Sequence, residues 1–242
     1  MFKKEFLSIA VALLAIGGSM CAQNRLGVTA GYNLSSISGV SGGHVGNNVP
    51  PPGWGSISGF RFGAATEFPL AGAIYLQPSL LFTTQGFKDT YLQTGGVTEI
   101  KRRFTFYYLQ VPVNIQYKLD LGIPKIIFQA GPYVGYGLFG RQKWYKNNSN
   151  HPETLDDKYK KLKFGDTDRN NKITPAFDLG VGVGAGVQVS RLQLTAGYNF
   201  GLSKMTFLKQ TSMNYDVKMR NNEFFVALSL FFGRYESLFP EE

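Results

Sequence analysis

Residues 176–202 read AFDLGVGVGAGVQVSRLQLTAGYNFGL, and this stretch decides the fold. Phe177, Leu179, Val181, Val183, Ala185, Val187 and Val189 fall on one face of an extended chain. Asp178, Gly180, Gly182, Gly184, Gly186 and Gln188 fall on the other. Strict period two is the signature of a β-strand with unlike faces. Ser190-Arg191 then marks a two-residue turn, and a second strand follows from Leu192. Gly180 to Ala185 also fit a G-x-G-x-x-A string. A dinucleotide fingerprint requires a helix to start at that point, whereas here the glycines line one strand face.

The same pattern recurs along the chain. Leu109, Val111, Val113, Ile115 and Tyr117 oppose Gln110, Pro112, Asn114, Gln116 and Lys118. Eight segments are predicted, at 25–35, 58–68, 73–86, 105–119, 126–140, 176–189, 192–203 and 223–233. Each is near or above the ~9–11 residues that a tilted strand needs to cross a bilayer. The links alternate in length. Pro69 to Gly72, Asp120 to Lys125 and Ser190-Arg191 are short, whereas 36–57, 87–104, 141–175 and 204–222 are long. Short turns at one end and long loops at the other are the plan of an outer-membrane barrel. The expected fold is all-β: an eight-stranded antiparallel transmembrane up-and-down barrel.

A soluble barrel also alternates, but it turns its charged face to water. Here the non-apolar face is mostly Gly, Gln, Asn, Ser and Thr, a poor solvent surface and a good lumen filling. Aromatic residues cluster at the predicted strand ends. Tyr32, Phe60, Phe82, Tyr107, Tyr136, Tyr198 and Phe224 fall toward one rim, and Phe68, Tyr117 and Phe232 toward the other. Rings at both interfaces form the expected girdles. Lipid offers no partner to an open strand edge, so the sheet must close.

The first 22 residues have the layout of a secretory signal. Lys3 and Lys4 precede an apolar run from Phe6 to Ile16, and small residues follow as far as Ala22. The expected organisation is a signal peptide at 1–22 and one barrel domain at 23–242. Cys21 is the only cysteine, so its removal leaves no thiol for a disulfide, a zinc site or a nucleophile. Met20 and Gly18 fit a lipid-attachment site at Cys21 badly.

These strand texts resemble the PorT-like outer-membrane β-barrel family typical of Bacteroidetes. The resemblance lies in Tyr75-Leu76-Gln77-Pro78-Ser79-Leu80-Leu81-Phe82, Leu109-Gln110-Val111-Pro112-Val113, Ala130-Gly131-Pro132-Tyr133-Val134-Gly135 and the 177–202 hairpin. Phe224 to Gly233 is similar to the family's closing strand. The resemblance implies fold and outer-membrane location across nearly the whole mature chain. The member that named the family takes part in type IX protein secretion, but the resemblance implies a barrel of that family and not a secretion component as such.

Two inward charge groups are expected. Arg61, Asp178 and Glu223 lie near the outer rim, and Arg61 is placed to reach Asp178 or Glu223. Arg25, Glu67 and Lys118 lie near the periplasmic rim, with Arg25 placed to pair with Glu67. An eight-stranded barrel is just wide enough for side chains to fill. Unpaired buried charge is costly, so both groups read as plugs, with a gate or ligand grip as the alternative.

The formal charge of +9 concentrates in predicted loops and suits anionic glycolipid rather than nucleic acid. Trp144, Tyr145 and Tyr159, set among lysines, form the candidate partner-binding loop. Asp166, Asp168 and Asn170 have calcium-loop spacing. Asn171 replaces the turn glycine and Phe177 the closing glutamate, so no metal or cofactor is assigned. His44 and His151 fall in long loops without a local motif, and no enzyme is expected. The expected role is structural or protein-interacting, with export machinery or another envelope protein as partner. A narrow small-ligand conduit is the alternative.

Overall fold

The computed structural model describes residues 24–41, 53–92, 98–148, 151–154, 160–164, 172–174, 176–208 and 216–233. Twelve strands occur among them. They are β1 (Arg25–Ser41), β2 (Gly53–Ala71), β3 (Ile74–Leu92), β4 (Thr98–Asp120), β5 (Lys125–Asn148), β6 (His151–Thr154), β7 (Lys160–Phe164), β8 (Lys172–Thr174), β9 (Phe177–Val189), β10 (Leu192–Gly201), β11 (Met205–Leu208) and β12 (Asp216–Phe232). Eight of them form the barrel wall in the order β1, β2, β3, β4, β5, β9, β10, β12. β12 then pairs with β1 from Leu26↔Phe232 to Ser41↔Lys218, which closes the sheet. Every neighbouring pair in the wall is antiparallel. β6, β7, β8 and β11 extend the sheet at the end away from the short turns.

The faces follow the alternation. Val183 is 48% exposed and its neighbour across the pleat in β10, Tyr198, also lies on the outer wall, whereas Gln188 is 2% exposed inside. Two of the connections are tight. Ser190 adopts φ 52° and Gly72 the same value, the positive φ that opens a two-residue hairpin turn. Glycine takes that conformation without a Cβ penalty, and serine does not. In the 120–125 turn, Asp120 pairs with Lys125 at 2.5 Å and accepts the Gly122 N–H at 3.0 Å. Both contacts hold the Asp120 carboxyl below its ordinary range.

The long links differ from expectation. Residues 87–104 are mostly ladder, because β3 runs to Leu92 and β4 begins at Thr98. β5 runs to Asn148, well into the segment read as loop. β1 and β2 likewise reach into 36–57, and β11 and β12 into 204–222. In β4 the apolar residues move to the other face around Tyr107-Tyr108. The strands continue because parity changes while the backbone ladder does not.

That change of parity is clearest in β4. Its inward positions are Lys118, Gln116, Asn114, Pro112 and Gln110, followed by Tyr108, Phe106 and Phe104. Its outward positions run from Tyr117, Ile115 and Leu109 through Tyr107 to Thr105, Arg103 and Lys101. The lower wall is therefore polar inside and apolar outside, and the upper wall is the reverse. A sheet facing hydrocarbon must be apolar outside. Once it rises into water, an ordinary buried core becomes the stable arrangement. The aromatic rings Phe60, Phe62, Phe82, Tyr107 and Phe139 lie at the crossover, with successive centroids 4.5–6.2 Å apart.

Candidate functional site

The interior of the wall is a stack of closures. At the short-turn end, Glu67 of β2 sits opposite Arg25 of β1 in the ladder. Arg25 donates to Glu67 Oε1 from Nη2 at 2.5 Å and from Nε at 3.1 Å. Lys118 of β4 donates to Glu67 Oε2 and also to Gln188 Oε1 at 2.8 Å. Its Nζ lies 4.4 Å from the Tyr75 ring centre, and the Arg25 guanidinium lies 5.2 Å from that of Phe231. The three predicted residues thus come together as one buried carboxylate between two cations. Lys118 joins the pair expected between Arg25 and Glu67.

An amide layer comes next. Gln116 donates to Gln77 Oε1 and Gln129 Oε1, joining the neighbouring strands β3, β4 and β5 on the lumen side of the wall. Above it lies a cavity of about 40 Å³ lined by Thr29, Arg61, Gln77, Gln129, Gln193 and Asn199 among others. A polar chamber of that size has room for roughly three waters at ~10–15 Å³ each.

The outer charge group borders this cavity through Arg61. Glu223 Oε1 accepts from Asn33 Nδ2 at 2.5 Å and Thr83 Oγ1 at 3.2 Å. Its Oε2 accepts from Gln85 Nε2 at 3.2 Å and Asn199 Nδ2 at 2.9 Å. Arg61 stands 3.9 Å from Glu223 and stacks on Phe225, 4.0 Å from the ring centre. The two are therefore adjacent, but four neutral donors hold the carboxylate more closely than the guanidinium does.

Asp178 does not join Arg61. It accepts from Ser203 Oγ at 2.7 Å and Asn221 Nδ2 at 3.4 Å, one layer further out. Of the two partners offered for Arg61, Glu223 is the one beside it, and Asp178, opposite Gly135 in the β5–β9 ladder, is held by Ser203 and Asn221 instead.

An apolar cap completes the stack. Phe87, Phe104, Phe106, Tyr108, Met205 and Met219 form one buried cluster, with Ile37 and Phe164 packed against it. Phe87 and Phe104 stack with centroids 4.7 Å apart, and Phe164 meets Tyr108 edge-on at 5.4 Å. The Tyr108 hydroxyl donates to Met205 Sδ at 3.1 Å and accepts from Asn221 Nδ2 at 3.3 Å. Beyond the cap, Arg102 pairs with buried Asp89.

Sequence reasoning missed the cap, the glutamine layer and the amide cage of Glu223. The signal for the cap was present at Tyr107-Tyr108, where two adjacent aromatics mark the change of parity. The glycine-lined face of β9 makes room for side chains of neighbouring strands. A Cβ on Gly180 would strike the Tyr133 ring, and one on Gly182 would meet the Asn199 side chain.

Other expected sites lie elsewhere. The Asp166, Asp168 and Asn170 spacing, Tyr159, His44 and the 1–22 segment lie outside the described residues. Trp144 and Tyr145 belong to β5, and His151 to β6, but their side chains lie outside the described ones. Among the described residues no group of His, Cys, Asp and Glu is arranged to hold a metal ion.

A closed eight-stranded wall, apolar outside and packed with polar groups inside, defines an integral outer-membrane β-barrel protein. The chain belongs to the outer membrane protein beta-barrel domain family, whose model matches residues 21–206. It is similar to the outer membrane protein OprG from Pseudomonas aeruginosa, with 10% identity, a TM-score of 0.41, and coverage of 87% of this chain and 97% of that one. Ail of Yersinia pestis aligns at 12% identity and a TM-score of 0.39, covering 86% of this chain and 99% of that one. Neisserial surface protein A aligns at 14% identity and a TM-score of 0.36, with coverage of 86% and 97%. No curated protein matches the sequence.

Proposed function

We propose that this protein is a sealed outer-membrane barrel that acts through contacts at its outer extension, not by passing solutes. The observation that carries this reading is the stack of closures from the Glu67 ion triad to the Phe106 cap. Small barrels are in any case filled by their own side chains, whereas aqueous channels usually have ~16–18 strands. The upper wall, including β3 as far as Leu92 and β5 as far as Asn148, offers a sheet surface for a partner. Trp144, Tyr145 and Tyr159 remain the candidate contacts.

Likeness of the strand texts to PorT-like barrels of Bacteroidetes supports an envelope or type IX-like secretion protein as that partner. Export by a cleaved signal at 1–22 belongs to the same reading. Crosslinking in cells followed by affinity capture tests it. One reproducible envelope protein, lost when Trp144, Tyr145 and Tyr159 are substituted by Ser, is the expected result. No reproducible partner would overturn the interaction role.

The polar chamber beside Arg61 favours a second reading, a narrow conduit. Planar-bilayer recording separates the two. Purified protein is expected to be silent, and a steady unitary conductance would replace the sealed reading with the conduit. We further read the protein as non-enzymatic. Joint substitution of His44 and His151 is expected to leave outer-membrane lipids and secreted proteins unchanged.

A further inference from the structure

We propose that the outward face of β3, β4 and β5, just above the aromatic belt, binds the phosphate groups of an outer-leaflet glycolipid. Lys88 and Arg103 stand directly opposite each other in the β3–β4 ladder. Arg103 in turn stands opposite Lys143 in the β4–β5 ladder, and Arg141 lies two residues nearer the membrane on β5. Like charges at directly opposed positions destabilise a sheet. An anion held between them removes that cost.

The side chains are disposed for such a ligand. Arg103 reaches across β3 and donates to Ser58 O of β2 at 3.2 Å, which fixes its guanidinium along the wall. Arg141 lies over the Tyr107 ring, 5.8 Å from its centre. Guanidinium groups suit phosphate because they present paired donors. Of the carboxylates whose side chains are described, Glu67, Asp89, Asp178 and Glu223 are buried inside the barrel. Asp120 belongs to a short turn at the opposite end. None of the carboxylates whose side chains are described therefore stands on this outward face, and Glu99 of β4 stands four residues beyond Arg103, opposite Leu92 of β3.

The occupant is a lipid and not a free anion because of what lies beneath. Tyr107 and Phe139 stack at 4.5 Å directly below these cations, with Phe82 next to Tyr107 at 5.9 Å. Arg141 is two residues above Phe139, and Arg103 four above Tyr107, so the cations lie about 7–14 Å along the tilted strands from the belt at ~3.4 Å per residue. One molecule with acyl chains against the rings and a phosphorylated sugar above satisfies both levels. This inference rests on membrane residence alone and is independent of the secretion reading.

The test uses the full-length mature protein in phosphatidylcholine nanodiscs containing increasing amounts of bisphosphorylated lipid A, with bound lipid counted by native mass spectrometry. Each cation near a charged surface contributes about 1 kcal/mol, or roughly fivefold. The K88Q/R103Q/R141Q variant is therefore expected to bind about a hundredfold more weakly. Dephosphorylated lipid A and phosphatidylglycerol are expected to bind wild type as weakly as that variant binds lipid A. K204Q/R220Q, which removes exposed cations from the far wall of the same rim, is expected to bind as wild type does. Should the triple variant fail to fold, R141Q alone is expected to lose about fivefold. Unchanged affinity in the substituted protein, an equal loss in K204Q/R220Q, or equal binding of phosphatidylglycerol would overturn the site.

Discussion

Glu67→Gln is expected to destabilise the barrel by about 3–5 kcal/mol, the cost of breaking a buried ion cluster at one partner. Glu67 is 2% exposed and is the shared acceptor for Arg25 and Lys118. The substitution leaves two cations facing one another at the end of a low-dielectric lumen, with the Gln188 carbonyl and two aromatic rings as neighbours. Removing all three charges together removes the desolvation cost as well. Arg25→Met/Glu67→Leu/Lys118→Met is accordingly expected to lie closer to wild type than the single variant does. Reversible urea unfolding in liposomes, with the folded fraction read by gel mobility, measures both. A loss below about 1 kcal/mol for Glu67→Gln, a value usual for exposed pairs, would show that the cluster is solvated.

Phe106→Ala is the second large effect. Phe106 has no exposed surface and touches Phe87 and Phe164, with ring centres at 6.2 and 5.9 Å. Removing a buried phenyl ring leaves a cavity and costs about 3–5 kcal/mol. Phe128 provides the contrast, because it is 52% exposed on the outer wall and meets lipid. Truncating it exchanges ring contacts for acyl-chain contacts and leaves no internal cavity, so a smaller loss is expected. Phe106→Ala should also remain silent in planar bilayers, since the Glu223 and Glu67 layers persist beneath it. The same unfolding assay ranks the two variants. Equal losses would mean that the upper interior is not a packed core.

Much of the wall was legible from residues alone. Gly180 to Gln188 alternate so strictly that both the strand and its inward face follow, and Ser190-Arg191 gives the turn. Inward placement of Arg61, Glu223, Arg25, Glu67 and Lys118 follows from the same parity. Pairing follows for Arg25 and Glu67, which face each other on neighbouring strands, but not for the outer group. Asp178 and Glu223 share a face with Arg61 in the sequence pattern, yet only Glu223 stands beside Arg61, and Asp178 is held by Ser203 and Asn221, a choice that alternation does not encode. Glu223 reads as a salt-bridge partner, but its tightest contacts come from Asn33 and Asn199, residues whose amides carry no pattern of their own. The cap was hidden because the apolar face was assumed to stay outward. Phe104, Phe106 and Tyr108 belong to a different solvent regime from Leu109 and Ile115, so one rule cannot serve for both halves of β4.

Nitroxide accessibility along β4, from residue 101 to residue 117 in liposomes, tests the inversion most directly. Labels at 109, 115 and 117 should collide with oxygen and be shielded from aqueous nickel chelate. Labels at 101, 103 and 105 should show the opposite preference, and those at 104, 106, 108, 110 and 116 should be shielded from both reagents. Oxygen contact at 104, 106 or 108 equal to that at 115 would place the upper aromatics in lipid and contradict the sealed, two-regime wall.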